Sequence, residues 1–183
     1  MNRKFALFIV LFLALSANFG CESPASKVDF EKEKAAIQAV IAKETESYYQ
    51  QDFEAWKSTY LDSPQFRMNG YWEGFPEKIT FHNGFESLKA TKKAQFEADA
   101  TLWKGSVEER SNENFRIFPD VAWYTFDQYS YEKDTRKLLG KSLETRILEK
   151  HDGQWKIAYL GYHYFPMEEE KAVENAEGKE AGQ

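Results

Sequence analysis

From Glu31 to Gln50 the apolar positions Ile37, Val40, Ile41 and Tyr48 recur at helical spacing, in a stretch free of glycine and proline. This pattern predicts a long amphipathic helix, with Glu44 falling on the same stripe. Asp52 is a good N-cap for a second, shorter helix that puts Phe53, Trp56 and Tyr60 on one face and stops at Asp62-Ser63-Pro64. A short extended piece, Phe66 to Met68, runs into Asn69-Gly70, which predicts a tight hairpin turn, and Lys78 to His82 reads as another strand. Asn83 with Glu86 predicts the cap of a third helix from Gly84 to about Ala98, burying Phe85, Leu88 and Phe96.

Beyond this point the pattern changes to four long runs rich in aromatic and branched residues: Val107 to Phe118, Val121 to Tyr131, Leu138 to Lys150 and Trp155 to Phe165. Pro119-Asp120, the charged stretch Glu132 to Lys137 and Asp152-Gly153 mark the turns between them. Helices first and strands afterwards predict an α+β domain with a curved antiparallel sheet. The last run does not alternate cleanly. Strict parity puts Ile157, Tyr159, Gly161, His163 and Phe165 on one face, and Ala158, Leu160, Tyr162 and Tyr164 on the other. Both faces are largely apolar, so one is expected against the helices and the other against a second sheet face or a second subunit; a homodimer is the economical expectation, and partial exposure of the tyrosines is the alternative.

The ends are of different composition. Residues 1–20 carry Arg3 and Lys4, then an apolar run from Phe5 to Leu15, then small residues, the layout of a secretory signal peptide. That run is too short to span a bilayer, which takes about 20 apolar residues. Cys21 is the only cysteine and directly follows Gly20, a placement that resembles the lipidation site of bacterial lipoproteins, although Asn18 and Phe19 depart from the usual motif. The expectation is a lipid anchor on Cys21, with a membrane location that rests on the acyl chains; cleavage near Ala14-Leu15-Ser16 and plain secretion is the other reading. Residues 21–29 read as a tether and 167–183 as an acidic, disordered tail, leaving 30–166 as the single domain.

Composition narrows the function classes. The 183 residues are 42% hydrophobic, 16% aromatic and 30% charged, with a net charge of -6. Losing residues 1–20 removes two positive charges, so 22 Lys and Arg remain against 30 Asp and Glu, a net of -8. No basic run is interleaved with the aromatics, so nucleic acid is not an expected partner. The three histidines lack metal-ligand spacing, the ten glycines are scattered rather than gathered in a phosphate loop, and no Gly-x-Ser-x-Gly elbow occurs. No metal and no cofactor are expected.

The order of helices, small hairpin and long strands, closing with Glu144-Thr145-Arg146-Ile147 and Asp152-Gly153-Gln154-Trp155-Lys156-Ile157, resembles the nuclear transport factor 2-like superfamily. That superfamily includes ketosteroid isomerases, SnoaL-like cyclases and the association domain of calcium/calmodulin-dependent kinases. The resemblance covers about Phe30 to Pro166 and implies a cystatin-like α+β roll, a cone-shaped sheet wrapped around three helices with one deep pocket. Fold of this kind argues for a cavity and not for a reaction. Laid over the isomerases, the positions of their tyrosine donor and aspartate base fall near Glu44 and Met68, neither of which can serve those roles, so isomerase chemistry is disfavoured. The resemblance to the kinase association domain implies that Arg146 points into the pocket and holds an anionic group, with Thr125 and Tyr162 where that domain has further arginines.

Each candidate has a structural reading beside the functional one. Arg146 is a pocket guanidinium or a surface arginine paired with Glu144 or Glu149. Glu44 is a pocket carboxylate facing Arg146 or a cationic ligand, or an edge residue with its head in water. Asp127, which shares parity with Trp123, Thr125 and Tyr129, and His163 are the candidates for proton transfer; a rim aspartate and a packing histidine are the alternatives. His82 is expected to be structural and His151 solvent-facing. Among the aromatics Tyr48, Trp56, Tyr60, Phe66, Trp72, Trp103, Trp123 and Tyr129, the pocket is expected to use Trp56, Tyr60, Trp123 and Tyr129. The leading expectation is a noncatalytic cell-envelope lipoprotein binding a small organic ligand, with Arg146 there to hold an anionic one. A SnoaL-like or isomerase-type enzyme and a dimeric assembly module are the alternatives.

Overall fold

The computed structural model of the chain describes residues 28–73, 79–100 and 104–165. The leader, Cys21 with most of its tether, Trp103 and the acidic tail lie outside the described residues. The elements are α1 (Phe30–Gln50), α2 (Phe53–Lys57), β1 (Arg67–Trp72), β2 (Ile79–Asn83), α3 (Phe85–Glu97), β3 (Val107–Ile117), β4 (Val121–Tyr131), β5 (Leu138–His151) and β6 (Gln154–Phe165). They form three helices against one curved six-stranded sheet, an α+β domain as the pattern predicts.

Local chemistry sets the helix ends. Asp29 caps α1 by accepting from the Lys32 amide at 3.2 Å, and Asp52 caps α2 by accepting from the Ala55 amide at 2.9 Å. The left-handed Gln51 (φ 59°) ends α1 and reverses the chain. α1 buries Ile37, Ile41, Glu44 and Ser47, the stripe that its spacing predicts, displaced slightly toward Ser47. The cap expected at Asn83 is absent. Asn83 ends β2, and Gly84 occupies the cap position at φ 77° with no side-chain bond, while the Gly84 and Phe85 amides donate to the carbonyls of Phe66 and Ser63. A positive φ at that position suits glycine.

The strand order is β2-β1-β6-β5-β4-β3. All neighbours are antiparallel except β1 and β6, which run parallel, so the expected antiparallel sheet is mixed. The predicted turn at Asn69-Gly70 is also corrected, because both residues sit in the middle of β1. Gly70 is needed there for space and not for a turn. A Cβ on it would lie 2.1 Å from Cζ of Tyr162, its register partner on β6.

The failure of β6 to alternate has a geometric cause. Ile147 pairs with Tyr159 and Leu148 with Ile157, so Ala158 is an extra residue in the ladder. A bulge of this kind reverses parity beyond it. Trp155 and Ile157 face the core before the bulge and Leu160 and Tyr164 after it, and all four are buried. The core joins these to Ile37, Ile41, Trp56, Tyr60, Phe66, Phe85, Leu88, Tyr124, Phe126 and Leu148. Its centre is a ring cluster in which Tyr60 stacks on Phe85 at 5.3 Å and lies 4.7 Å from Trp56.

The close approach of Gly70 and Tyr162 yields a measurable outcome. Gly70→Ala is expected to lower stability by about 1–3 kcal/mol by displacing the ring. In urea denaturation, a cycle with Tyr162→Ala should recover most of that loss, whereas additive losses would show that the ring is not the obstacle.

Candidate functional site

Between the helices and the inner face of the sheet lies a cavity of about 140 Å³, close to the size of an engineered cavity that holds a benzene molecule. α1 contributes Glu44, Thr45, Tyr48 and Tyr49; α2 and the turn after it contribute Trp56 and Tyr60; α3 contributes Leu88 and Lys92. The sheet side is built from Met68 and Trp72 on β1, Gln128 on β4, Ser142, Glu144 and Arg146 on β5, and Leu160, Tyr162 and Tyr164 on β6. The wall is therefore aromatic, with four ionisable chains of opposite sign set into it.

Alternation on β5 puts Ser142, Glu144 and Arg146 in one inward column, and all three are buried. Arg146 Nη1 donates to Glu144 Oε2 at 2.6 Å, and the Ser142 hydroxyl donates to Glu144 Oε1 at 2.5 Å. Burial opposes the charge on Arg146, but Glu144 and Glu44 together hold its pKa above the ordinary value. Its Nε is buried and has no acceptor. The pairing with Glu144 foreseen for a surface residue is thus present, but inside the domain.

Glu44 completes a second chain of bonds. It accepts from the Tyr60 hydroxyl at 2.7 Å and from Thr45 Oγ1 at 3.4 Å. Thr45 in turn accepts from Arg110 Nη2 at 2.7 Å, and Arg110 Nε donates to Gln128 Oε1 at 3.2 Å. Burial, reinforced by the Glu44 charge, pushes the Tyr60 pKa well up, so its hydroxyl stays protonated and donates.

Lys92 is the other cation of the wall. Its ammonium donates to the neutral amide of Gln95 at 3.0 Å and lies 4.5 Å from the Tyr48 ring centroid. Burial pulls its pKa down to about 8, against the opposing influence of Glu44. The spacing Phe85, Leu88, Lys92, Phe96 places it on the buried stripe of α3, so helical periodicity carried the signal even though the sequence reading passed over it. Glu144, foreseen only as a surface partner of Arg146, shares its inward parity.

At the edge of the cavity Tyr49 donates to Glu108 Oε1 on β3, while Glu108 Oε2 is buried without a partner. Burial raises the Glu108 carboxyl to about 7, despite the lowering effect of the Tyr49, Ser130 and Arg110 contacts. A groove outside it, of about 490 Å³, runs between α1 and the start of β3 and shares Thr45 and Tyr49 with the cavity.

Of the candidate residues, Glu44, Trp56, Tyr60 and Arg146 line one cavity. Trp123 and Tyr129 do not: the inner residues of β4 are Ala122, Tyr124, Phe126 and Ser130, and Trp123 is 53% exposed on the opposite face. Asp127 shares that outer face, held by Asn112 Nδ2 at 3.0 Å and near Lys141 at 3.9 Å. The bulge turns His163 outward as well, against Tyr71 and Phe165, with Glu73 3.5 Å from its Nε2. Neither proton-transfer candidate reaches the cavity. His82 is buried beside Ser87 at 3.0 Å, and His151 is exposed beside Glu149.

No family model matches the chain, and no curated protein does so either. Solved structures do match in fold. A protein of unknown function with a cystatin-like fold from Nostoc punctiforme is 18% identical at a TM-score of 0.57, over 73% of this chain and 91% of that one. Nuclear transport factor 2-like proteins of unknown function from Shewanella oneidensis and Pseudomonas putida are 14% and 13% identical, with TM-scores of 0.54 and 0.55. They cover 72% and 73% of this chain and 98% and 87% of their own. The fold is therefore nuclear transport factor 2-like, and the identities carry nothing further.

The buried Glu108 carboxyl makes stability depend on pH. Its folded pKa of about 7 lies above the ordinary 4.5, so the folded state binds more protons between those values and loses stability as the pH rises through about 7. In Glu108→Gln that loss is absent. By denaturation the variant should match the wild type near pH 4.5 and exceed it at pH 8 by up to about 3 kcal/mol. A pH-independent difference would contradict the assignment.

Proposed function

We propose that the protein binds a small, ring-sized organic molecule in its cavity without chemical turnover of the isomerase type. A ring-sized space walled by Trp56, Tyr60, Trp72 and Tyr162, with carboxylates and cations in equal number, is the observation that carries this reading. Two negative charges (Glu44, Glu144) stand against two positive (Arg146, Lys92), and Arg146 is already paired with Glu144. Such a wall favours a ligand that is neutral overall and carries a polar handle, because a lone anion would meet Glu44 and Glu144 as well as the two cations. The anionic ligand expected from Arg146 alone is thereby replaced by a neutral or zwitterionic one. A lipid anchor on Cys21 would place this binding domain at the cell envelope, a proposal that rests on the leader sequence.

The second reading is the homodimer, favoured by the outer face of the sheet. Ladder register sets Ile79, Tyr71, His163 and Leu143 in one cross-strand row and Tyr159, Ile147 and Trp123 in another. Ile79, Phe81, Trp123 and Leu143 are each more than 40% exposed. A patch of this kind fits an isologous contact between two copies.

Benzyl alcohol is a suitable probe of the cavity. It should raise the thermal midpoint in proportion to the logarithm of its concentration once well above its dissociation constant, by the equivalent of about 2.7 kcal/mol at a hundredfold excess. Leu88→Trp, which fills part of the space, should abolish the shift; no shift in the wild type, or an equal one in the variant, rejects the cavity as a binding site. For the dimer, sedimentation equilibrium should give twice the chain mass for the wild type and a single chain mass for Leu143→Asp. A monomeric wild type at high micromolar concentration ends that reading.

A further inference from the structure

We propose that Lys92 is a reactive amine that condenses reversibly with the carbonyl group of a small aldehyde or ketone held in the cavity. The inference rests on the binding reading above and names the ligand class for the same site. Its starting point is a contrast between the two cations of the wall. Arg146 is held by a carboxylate at 2.6 Å. Lys92 is held only by the Gln95 amide, over the Tyr48 ring, and among the described residues no carboxylate lies within ion-pair distance of it. A buried amine without a counter-ion loses its proton readily, because burial penalises the charged form more than the Tyr48 ring face supports it, and the neutral form is the nucleophile. The depressed pKa of about 8 agrees with this placement.

The step balances without any co-reactant beyond the carbonyl compound. The lone pair of Lys92 Nζ forms the C–N bond while the carbonyl π pair moves to oxygen, which takes up the proton that nitrogen gives off. Protonation of the resulting hydroxyl lets it depart as water as the nitrogen lone pair closes the C=N bond. In sum, ammonium and carbonyl give a protonated imine and water, with charge conserved and nothing oxidised or reduced. Glu44 is the carboxylate whose charge bears on Lys92, and from the same wall it offsets the imine's positive charge, while the proton that the ammonium releases returns through water to the departing hydroxyl. The aromatic walls take the ring of an aryl aldehyde, the shape that the cavity volume suits.

The test is reductive trapping of the full chain with benzaldehyde and sodium cyanoborohydride, followed by peptide mass mapping. One benzyl adduct on Lys92 is expected at pH 7, forming roughly 100-fold faster than on exposed lysines, as the difference between a pKa near 8 and an ordinary lysine implies. Its rate should level off above about pH 8, and excess benzyl alcohol should suppress it. Lys92→Arg should lose the adduct; should that variant fold poorly, the competition by benzyl alcohol in the wild type serves in its place. Adducts spread over surface lysines with Lys92 spared would overturn the inference. If benzyl alcohol still binds in that case, the cavity reading survives and only the amine chemistry fails, whereas absence of both defeats the two together.

Discussion

The constraint on which the interior depends is the inward column of β5, where Glu144 and Arg146 share one face at two-residue spacing. Neither ion can be left alone there, since removing one partner of a buried pair costs about 3–5 kcal/mol. The pair is held locally by the Ser142 hydroxyl and by contact with each other, with Arg146 Nε left without an acceptor among the described residues. Because it stands in the sheet and not on a helix, the helices need not close down on it. Polar heads project where a filled core would place methyl groups, and the space around them stays open.

Glu44 extends the same logic to the helical side. It is bonded by Tyr60 and Thr45, and Thr45 leads through Arg110 to Gln128 on β4. The long helix and the sheet are thus joined across the hollow by directional bonds as well as by packing. Stability here is spent on a specific arrangement of charge rather than on maximal burial, and domains that do this usually have a use for the space so held.

Much of the framework was legible because the periodic signals were strong. The α1 stripe, the Asp52 cap and the long strands follow from spacing alone, whereas the inward Arg146 was expected from the resemblance of its strand and not from its spacing. β4 was read the wrong way round for a physical reason: Trp123, Thr125, Asp127 and Tyr129 on one parity look no less suited to a core than Ala122, Tyr124 and Phe126 on the other. β6 was misjudged because one inserted residue, Ala158, reverses its faces, and no local composition marks a bulge of this kind. Asn69-Gly70 looked like a turn, but its glycine answers to the Tyr162 ring on β6, adjacent in the sheet though far along the sequence. Lys92 was readable and was passed over, since a lysine on a helix is ordinarily a solvated residue.

The position of β6 between β1 and β5 has a consequence for the order in which the molecule can assemble. Among the described residues, the β1-β2 hairpin and the β3-β4-β5 ladder share no hydrogen-bonded edge until β6 is inserted between them. During synthesis, everything up to the Asp152-Gly153 turn leaves the ribosome as two disconnected half-sheets, and the contacts that close them are among the most distant along the chain. Chains with such long-range closure fold slowly. A centre seam completed only by β6 therefore keeps the two half-sheets apart until that strand has emerged.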